Sequence, residues 1–385
     1  MNCKELFQKI DELSPKYIKV WEDVCNIESP TSYKEGVDKV CEYFVNMAKE
    51  KGWEIEVERM EVAGDVACIT LNPDAKGAPV CLSGHMDTVH PLGLFGTPPV
   101  HIDEKNIYGP GVIDCKGGCV ASFLAMDALE QIGFCDRPVK LILQSDEETG
   151  SKTSGKKTIE FMCEKAKGAI AFLNTEGVSD KDPYKLTIRR KGILRFRFNI
   201  TGKAVHSSYC HAGANALTEA AHKIIELEKM KKADGLTCNC GVIEGGTAVN
   251  TVAEKCSFLA DIRFATKEEE EQVRKLAKDL AEKSFVEGCV CELEEVSSRP
   301  AMEYSEKNEA LFNNINEIFA QNGLPKRIPV FCNGGSDTAY TTQAGIPCVD
   351  SIGVFGAGIH SIRERALLSS LGESAKCMAA ITLYL

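Results

Sequence analysis

The chain has 385 residues, 44% of them hydrophobic and 26% charged, with a formal net charge of −11. That length allows two domains with cores of their own, and the negative charge argues against nucleic acid or an anionic membrane surface as a partner. The eighteen cysteines form no Cys-x-x-Cys. Cys238/Cys240 and Cys289/Cys291 alternate along predicted strands and read as small buried apolar residues. The opening residues lack the apolar centre of a signal peptide, and no segment reads as long and apolar enough to span a bilayer, so a reduced, cytoplasmic setting is expected.

Residues 4–27 and 34–50 read as amphipathic helices, the second stopped by Gly52. Strands follow at 53–60 and 65–71. The apolar run 78–82 then leads as a short buried strand into Ser83-Gly84-His85-Met86-Asp87-Thr88. Period-two geometry sets His85 and Asp87 on one side of the backbone at the strand's carboxyl end, where open α/β sheets gather ligands. A neutral imidazole is a good ligand for zinc and its neighbours, and a nearby carboxylate can hold its ring in place. Gly109-Pro110-Gly111 makes a tight turn before Asp114, and a helix is expected over 119–132.

The dense apolar strand 139–143 delivers Glu147 and Glu148 at its carboxyl end; helix 155–166 and strand 169–173 follow, the latter delivering Glu176. A solvated loop explains one such cluster well. It explains poorly His85/Asp87, Glu147/Glu148 and Glu176 at equivalent strand ends, with Asp114 in a turn before a helix. The pattern changes near Gly192: strand 193–201, helix 215–230, strands 237–243 and 255–264, helix 267–285 and strand 289–296. That β-α-β-β-α-β order is the split βαβ (ferredoxin-like) sandwich. It is an insertion, because helix 308–322, strand 328–332, a Gly334-Gly335-Ser336-Asp337 turn, strand 347–354 and a C-terminal helix resume the α/β pattern. The expected fold class is therefore α/β, with residues 1–190 and 299–385 forming a mixed-sheet domain and 191–298 an inserted one.

These motifs resemble, in order and over essentially the whole length, the di-zinc amidohydrolase and exopeptidase family of glutamate carboxypeptidase G, aminoacylase, acetylornithine deacetylase and succinyl-diaminopimelate desuccinylase. The resemblance is carried by Ser83 to Val89, Gly109 to Gly118, Asp146 to Ser151, Gly202-Lys203-Ala204-Val205-His206-Ser207-Ser208 and Gly358-Ile359-His360. It implies that Asp114 bridges two divalent ions, zinc first, with cobalt or manganese able to fill the same sites. His85 and Glu176 would complete one site, and Glu148 and His360 the other. Asp87 would orient His85, and Glu147 would be the general base. The peptide after Asp114 would be cis. Two positions depart from the common pattern: residue 115 is Cys, and Glu176 lies in Asn174-Thr175-Glu176-Gly177 rather than in Glu-Pro.

For the inserted domain the resemblance implies a homodimer, a histidine (His206) that polarises the scissile carbonyl, and Asn250 and Arg263 offered to a substrate carboxylate. The activity implied is hydrolysis of a small peptide or N-acyl amino acid, releasing an amino acid with a free α-carboxylate. A di- or tripeptidase of the same family is the rival enzyme. An inactive peptide-binding homologue is the rival from another class, and the intact acidic and imidazole set speaks against it. His90, His101, His211 and His222 read as surface or loop residues.

Overall fold

The structure, a computed structural model, describes residues 2–232 and 235–385. The chain divides into two compact units. The first takes the chain up to Ile188 together with Tyr304–Phe331 and Tyr340–Leu385; the second takes Arg189–Glu303 and Cys332–Ala339.

Among the described residues, the central sheet of the first unit runs Glu54–Glu58, Val66–Leu71, Val139–Gln144, Val80–His85, Ala171–Asn174 and Cys348–Val349 in spatial order. The first two junctions are antiparallel and the rest parallel. Parallel strands are covered on both faces, which is why these segments read as near-continuous apolar runs. Leu82, Leu141, Leu143 and Leu173 share one large core with Tyr17 and Trp21 of helix Cys3–Asn26, Phe44 of helix Lys34–Lys51, Phe123 of helix Lys116–Gln131 and Met378 of helix Ser369–Tyr384. Cys81, Ile142 and Phe172, one residue out of phase, are buried on the opposite face. His85 has the parity of Cys81, so it leaves the sheet on that opposite face. Its register partner is Gln144, and Asn174 pairs with Ser83, so the loops after three neighbouring strands start from one edge.

Two local expectations need correction. The helix predicted from 119 begins at Lys116. Gly117 and Gly118 sit inside it because a Cβ on Gly118 would stand 2.1 Å from the Thr175 carbonyl oxygen; here glycine serves close packing and not a turn. The strand predicted over 347–354 is only Cys348–Val349, with Ser351 at a φ of +63° before a separate strand, Phe355–Ala357. That second strand belongs to a peripheral sheet of two- and three-residue strands, too short to leave a periodic signal.

The second unit is an antiparallel sheet in the order Thr237–Gly245, Lys255–Phe264, Gly192–Thr201, Val290–Arg299, with helices Ala216–Glu228 and Lys267–Glu282. This is the split βαβ arrangement. Leu194, Phe196, Phe198 and Ile200 alternate into its core, where Phe198 lies directly opposite Phe258 with ring centroids 4.6 Å apart. Helix Ala216–Glu228 departs from simple amphipathic reading: Glu219 and Lys223 face inward, fully buried and 2.9 Å apart, while Leu217 and Ile225 are exposed. The inward pair is satisfied by backbone. Glu219 accepts from the N–H groups of Phe285 and Val286, and Lys223 donates to the carbonyls of Leu280 and Lys283.

Candidate metal centre

Asp114 stands between two sets of donors. His85 Nε2 lies 3.0 Å from Asp114 Oδ1 and 3.8 Å from Glu176 Oε1. His360 Nε2 lies 3.2 Å from Asp114 Oδ2 and 3.2 Å from Glu148 Oε2. Each oxygen of one carboxylate thus faces a different imidazole. The Asp114–Cys115 peptide is cis.

The buried Asp87 organises both sides of this cluster. Its backbone oxygen is 3.0 Å and its Oδ1 3.3 Å from His85 Nδ1, so Nδ1 keeps its proton and Nε2 is the ring nitrogen turned to Asp114. The same carboxylate accepts from the backbone N–H groups of Glu147 and Glu148, each at 3.2 Å, and from the Thr31 hydroxyl at 2.6 Å. One residue therefore fixes an imidazole from one strand end and the acidic turn from the next.

A second buried carboxylate supports Asp114 itself. Glu364 Oε1 accepts from the N–H groups of Ile113 and Asp114 at 3.1 and 3.2 Å, and its Oε2 lies 2.6 Å from His90 Nε2. His90 is thus not a surface residue: it is buried behind Asp114, whereas His101, His211 and His222 are exposed. Glu364 and His90 are 274 positions apart, and neither falls in a periodic or motif position that sequence reasoning could have used.

The charge balance tests whether cations fit. Burial pushes the Glu148 carboxyl up to about 7 against the hydrogen bond from His360, with Asp114 and Glu147 adding to the rise. Burial, then the charge of Asp114, hold Glu176 well above the usual carboxylate range. Burial opposes ionisation of Asp114 too, but the hydrogen bonds from His360 and His85 hold it well below that range. Asp114 and then Glu148 raise the His360 imidazole to about 10. Without metal, then, this cluster keeps protons that its donors would otherwise lose near neutral pH. That is what a surplus of buried negative charge does when no cation is present. The nitrogen and oxygen donors are those that zinc, cobalt and manganese accept, and the His85, Asp114 and Glu148 donors lie within 4.8 Å of one another. Cys115 also lies near His85 and Glu176, but its thiol donates to the Thr175 carbonyl at 3.2 Å, and Cys119, then burial, hold it well above its usual value.

In the second unit, His206 and Asn250 are neighbours. The N–H of Ser207 donates to the Asn250 carbonyl at 2.9 Å, and His206 bridges to Thr251. His206 is exposed, its Nδ1 2.8 Å from the Ser208 hydroxyl. Arg263 is not with them. It pairs with Ile193 at the far end of the same sheet and makes two bonds to Asp261, at 2.7 and 3.1 Å. Near that far end, sequence reasoning missed three almost buried cations, Arg190, Lys191 and Arg299. Two of them meet the Gly-Gly-Ser-Asp turn: Arg190 donates to the Gly334 carbonyl at 3.3 Å and Arg299 Nη2 lies 3.6 Å from Asp337 Oδ1, whereas the Lys191 ammonium donates to the Gly235 carbonyl at 2.5 Å.

The donor cluster suits divalent cations, and the proteins this chain resembles are metallohydrolases that act on peptide or amide bonds. A family model for a peptidase dimerisation domain of the M20 type matches residues 188–289, and one for peptidase family M28 matches 67–234. Carboxypeptidase G2 of a Pseudomonas species is 29% identical over 362 residues, covering 92% of this chain and 86% of that protein. Among solved structures, the aminopeptidase PepT of Bacillus cereus shares the fold at a TM-score of 0.78 and 21% identity, covering 96% of this chain and 98% of that one. An M20 metallo-carboxypeptidase of Sulfolobus solfataricus does so at 0.76 and 18%, covering 96% and 99%. The chain is thus similar to M20-type metallopeptidases over nearly its whole length.

The support of Asp114 by Glu364 yields a direct test. Glu364→Ala should weaken metal binding by about 10–100-fold, the usual cost of removing a group that holds a ligand in place. Competition with a chromogenic chelator measures it, and unchanged affinity would show that Asp114 is positioned without Glu364.

Proposed function

We propose that the chain is a di-metal exopeptidase or N-acyl-amino-acid deacylase, most simply with zinc, that releases an amino acid bearing a free α-carboxylate. The observation that carries this reading is the placement of the two oxygens of Asp114 toward two separate imidazole–carboxylate sets. In this reading Asp114 is shared, His85 and Glu176 complete one site, and Glu148 and His360 complete the other. When bound, a pair of divalent cations supplies Lewis acidity to the amide carbonyl and lowers the pKa of water at the site.

Glu147 is the general base. It stands just before Glu148 in the same short turn, its backbone N–H is fixed by Asp87, and its side chain is almost buried. It takes the proton of the attacking water and returns it to the leaving amine. Asp87 keeps the His85 Nε2 lone pair available. The cations at the sheet end, Arg190, Lys191, Arg263 and Arg299, suit a carboxylate, which guanidinium groups bind through paired hydrogen bonds. The likeness to carboxypeptidase G2 over most of both chains supports the same substrate class.

The decisive experiment is a hydrolysis panel of N-acyl amino acids and dipeptides with zinc, cobalt or manganese added. Substrates with a free α-carboxylate should outrun their C-terminal amides by at least about a hundredfold, because an amide leaves buried charge unpaired. Activity that ignores the carboxylate and demands a free α-amine would overturn the reading in favour of an aminopeptidase or tripeptidase. Glu147→Gln should retain its metal and lose at least about a hundredfold in kcat. A variant with a near-normal rate would remove Glu147 from this role.

We further propose a homodimer in which His206 of one chain stabilises the developing oxyanion at the other chain's site. The match to a peptidase dimerisation domain supports it. So does the edge strand Thr237–Gly245, which exposes Val242 and Ile243, while the neighbouring helix exposes Leu217 and Ile225; an uncovered edge of this kind favours pairing. His206→Ala and Glu147→Ala should each be nearly inactive alone. Dissociated and reassembled together, they should regain activity, since one site in each mixed dimer keeps both residues. Mixed dimers as inactive as either parent would show that His206 does not act across the dimer.

A further inference from the structure

Glu228, Cys238 and Cys240 form a second group of donor atoms, all within 4.8 Å of one another, inside the second unit. On a regular strand, side chains two residues apart share a face but start about 6.7 Å apart. Here the strand Thr237–Gly245 carries a register irregularity between Asn239 and Val242, with one more residue than its partner strand over that stretch. The extra residue breaks the regular spacing around Cys240. Cys238 is buried in the unit's core, Cys240 is half-buried, and Glu228 ends the helix Ala216–Glu228. Glu228 Oε1 accepts the backbone N–H of Cys240 at 3.1 Å, so the carboxylate and the outer cysteine are held together before any ligand arrives. Cys240 is therefore not simply a small apolar residue.

We propose that these three residues form a binding site for a thiophilic divalent cation of the zinc or cadmium type, separate from the Asp114 cluster. Two sulfurs and one carboxylate oxygen are a soft donor set that selects such ions over magnesium or calcium. Three protein ligands leave the fourth tetrahedral position to water. Bringing the sulfurs onto one ion needs only a small closure, since a tetrahedral centre with bonds near 2.3 Å sets them roughly 3.8 Å apart. On binding, both thiols give their protons to the solvent, and two thiolates, one carboxylate and the dication leave one net negative charge. Lys231 is placed to balance it. Its ammonium now pairs with Glu228 on the surface, a contact of small worth that it can loosen at little cost. The ion would tie the end of the helix to the edge strand of the sheet.

The test uses the full chain, reduced and stripped of metal, titrated with cadmium and followed by thiolate-to-metal charge-transfer absorption. The nitrogen and oxygen donors of the Asp114 cluster give no such band, so the outcome does not depend on the proposed catalytic reading. The wild type should show the band saturating at one ion per chain; Cys115→Ser should keep it, and Cys240→Ser should abolish it. Glu228→Gln should keep the band and weaken cadmium binding at least about tenfold. No band, a band that survives in Cys240→Ser, or a band lost in Cys115→Ser would each overturn the proposal.

Discussion

The charge gathered around Asp114 governs the first unit. Carboxylates taken out of water cannot all stay ionised unless cations replace the lost hydration. The structure holds the group in that condition regardless: Asp114 is buried yet ionised between two imidazoles, while Glu148 and Glu176 are pushed toward protonation. The sign of the linkage follows. His360, raised to about 10, and Glu148, raised to about 7, both hold protons near neutral pH that a metal ligand must give up. Cation binding at these donors, as proposed, would expel protons, and its apparent affinity would rise with pH across that range.

Holding such a cluster open requires supports that are themselves rigid. Asp87 reaches three chain segments, through His85, through the N–H groups of Glu147 and Glu148, and through Thr31. Glu364 does the same for Asp114 from the C-terminal part of the chain, and His90 closes its other oxygen. The polar groups surrounding the site are thus mostly satisfied by one another before any ligand binds, which is how a site can be preorganised and remain stable.

Much of this was legible in the chain because a parallel sheet places its loops at one edge. Apolar runs ending at His85, Gln144 and Asn174 announce strands, and polar residues just past three such ends announce a site. What stayed hidden has a common physical cause. Glu364 and His90 meet only in the folded chain, the peripheral strands are too short for periodicity, and Arg190, Lys191 and Arg299 are charges buried where pattern reading expects apolar residues. Glu219 and Lys223 mislead in the same way. A buried ion pair satisfied by backbone occupies the inward face of a helix, and Ile225, which hydrophobicity would turn inward, is exposed.

The second unit constrains the proposed mechanism through its own length. Lys255 opposes Thr201 at one end of the central pair of strands and Arg263 opposes Ile193 at the other. Those eight residues span about 27 Å at 3.4 Å per residue. His206 and Asn250 lie beyond the Lys255 end, next to Thr251. A substrate amino acid offers its carboxylate within about 4 Å of the carbonyl being cleaved, the span of one residue. One copy of this unit cannot deliver His206 to the carbonyl and Arg263 to that carboxylate together. If both act on one substrate, they come from different copies of this unit.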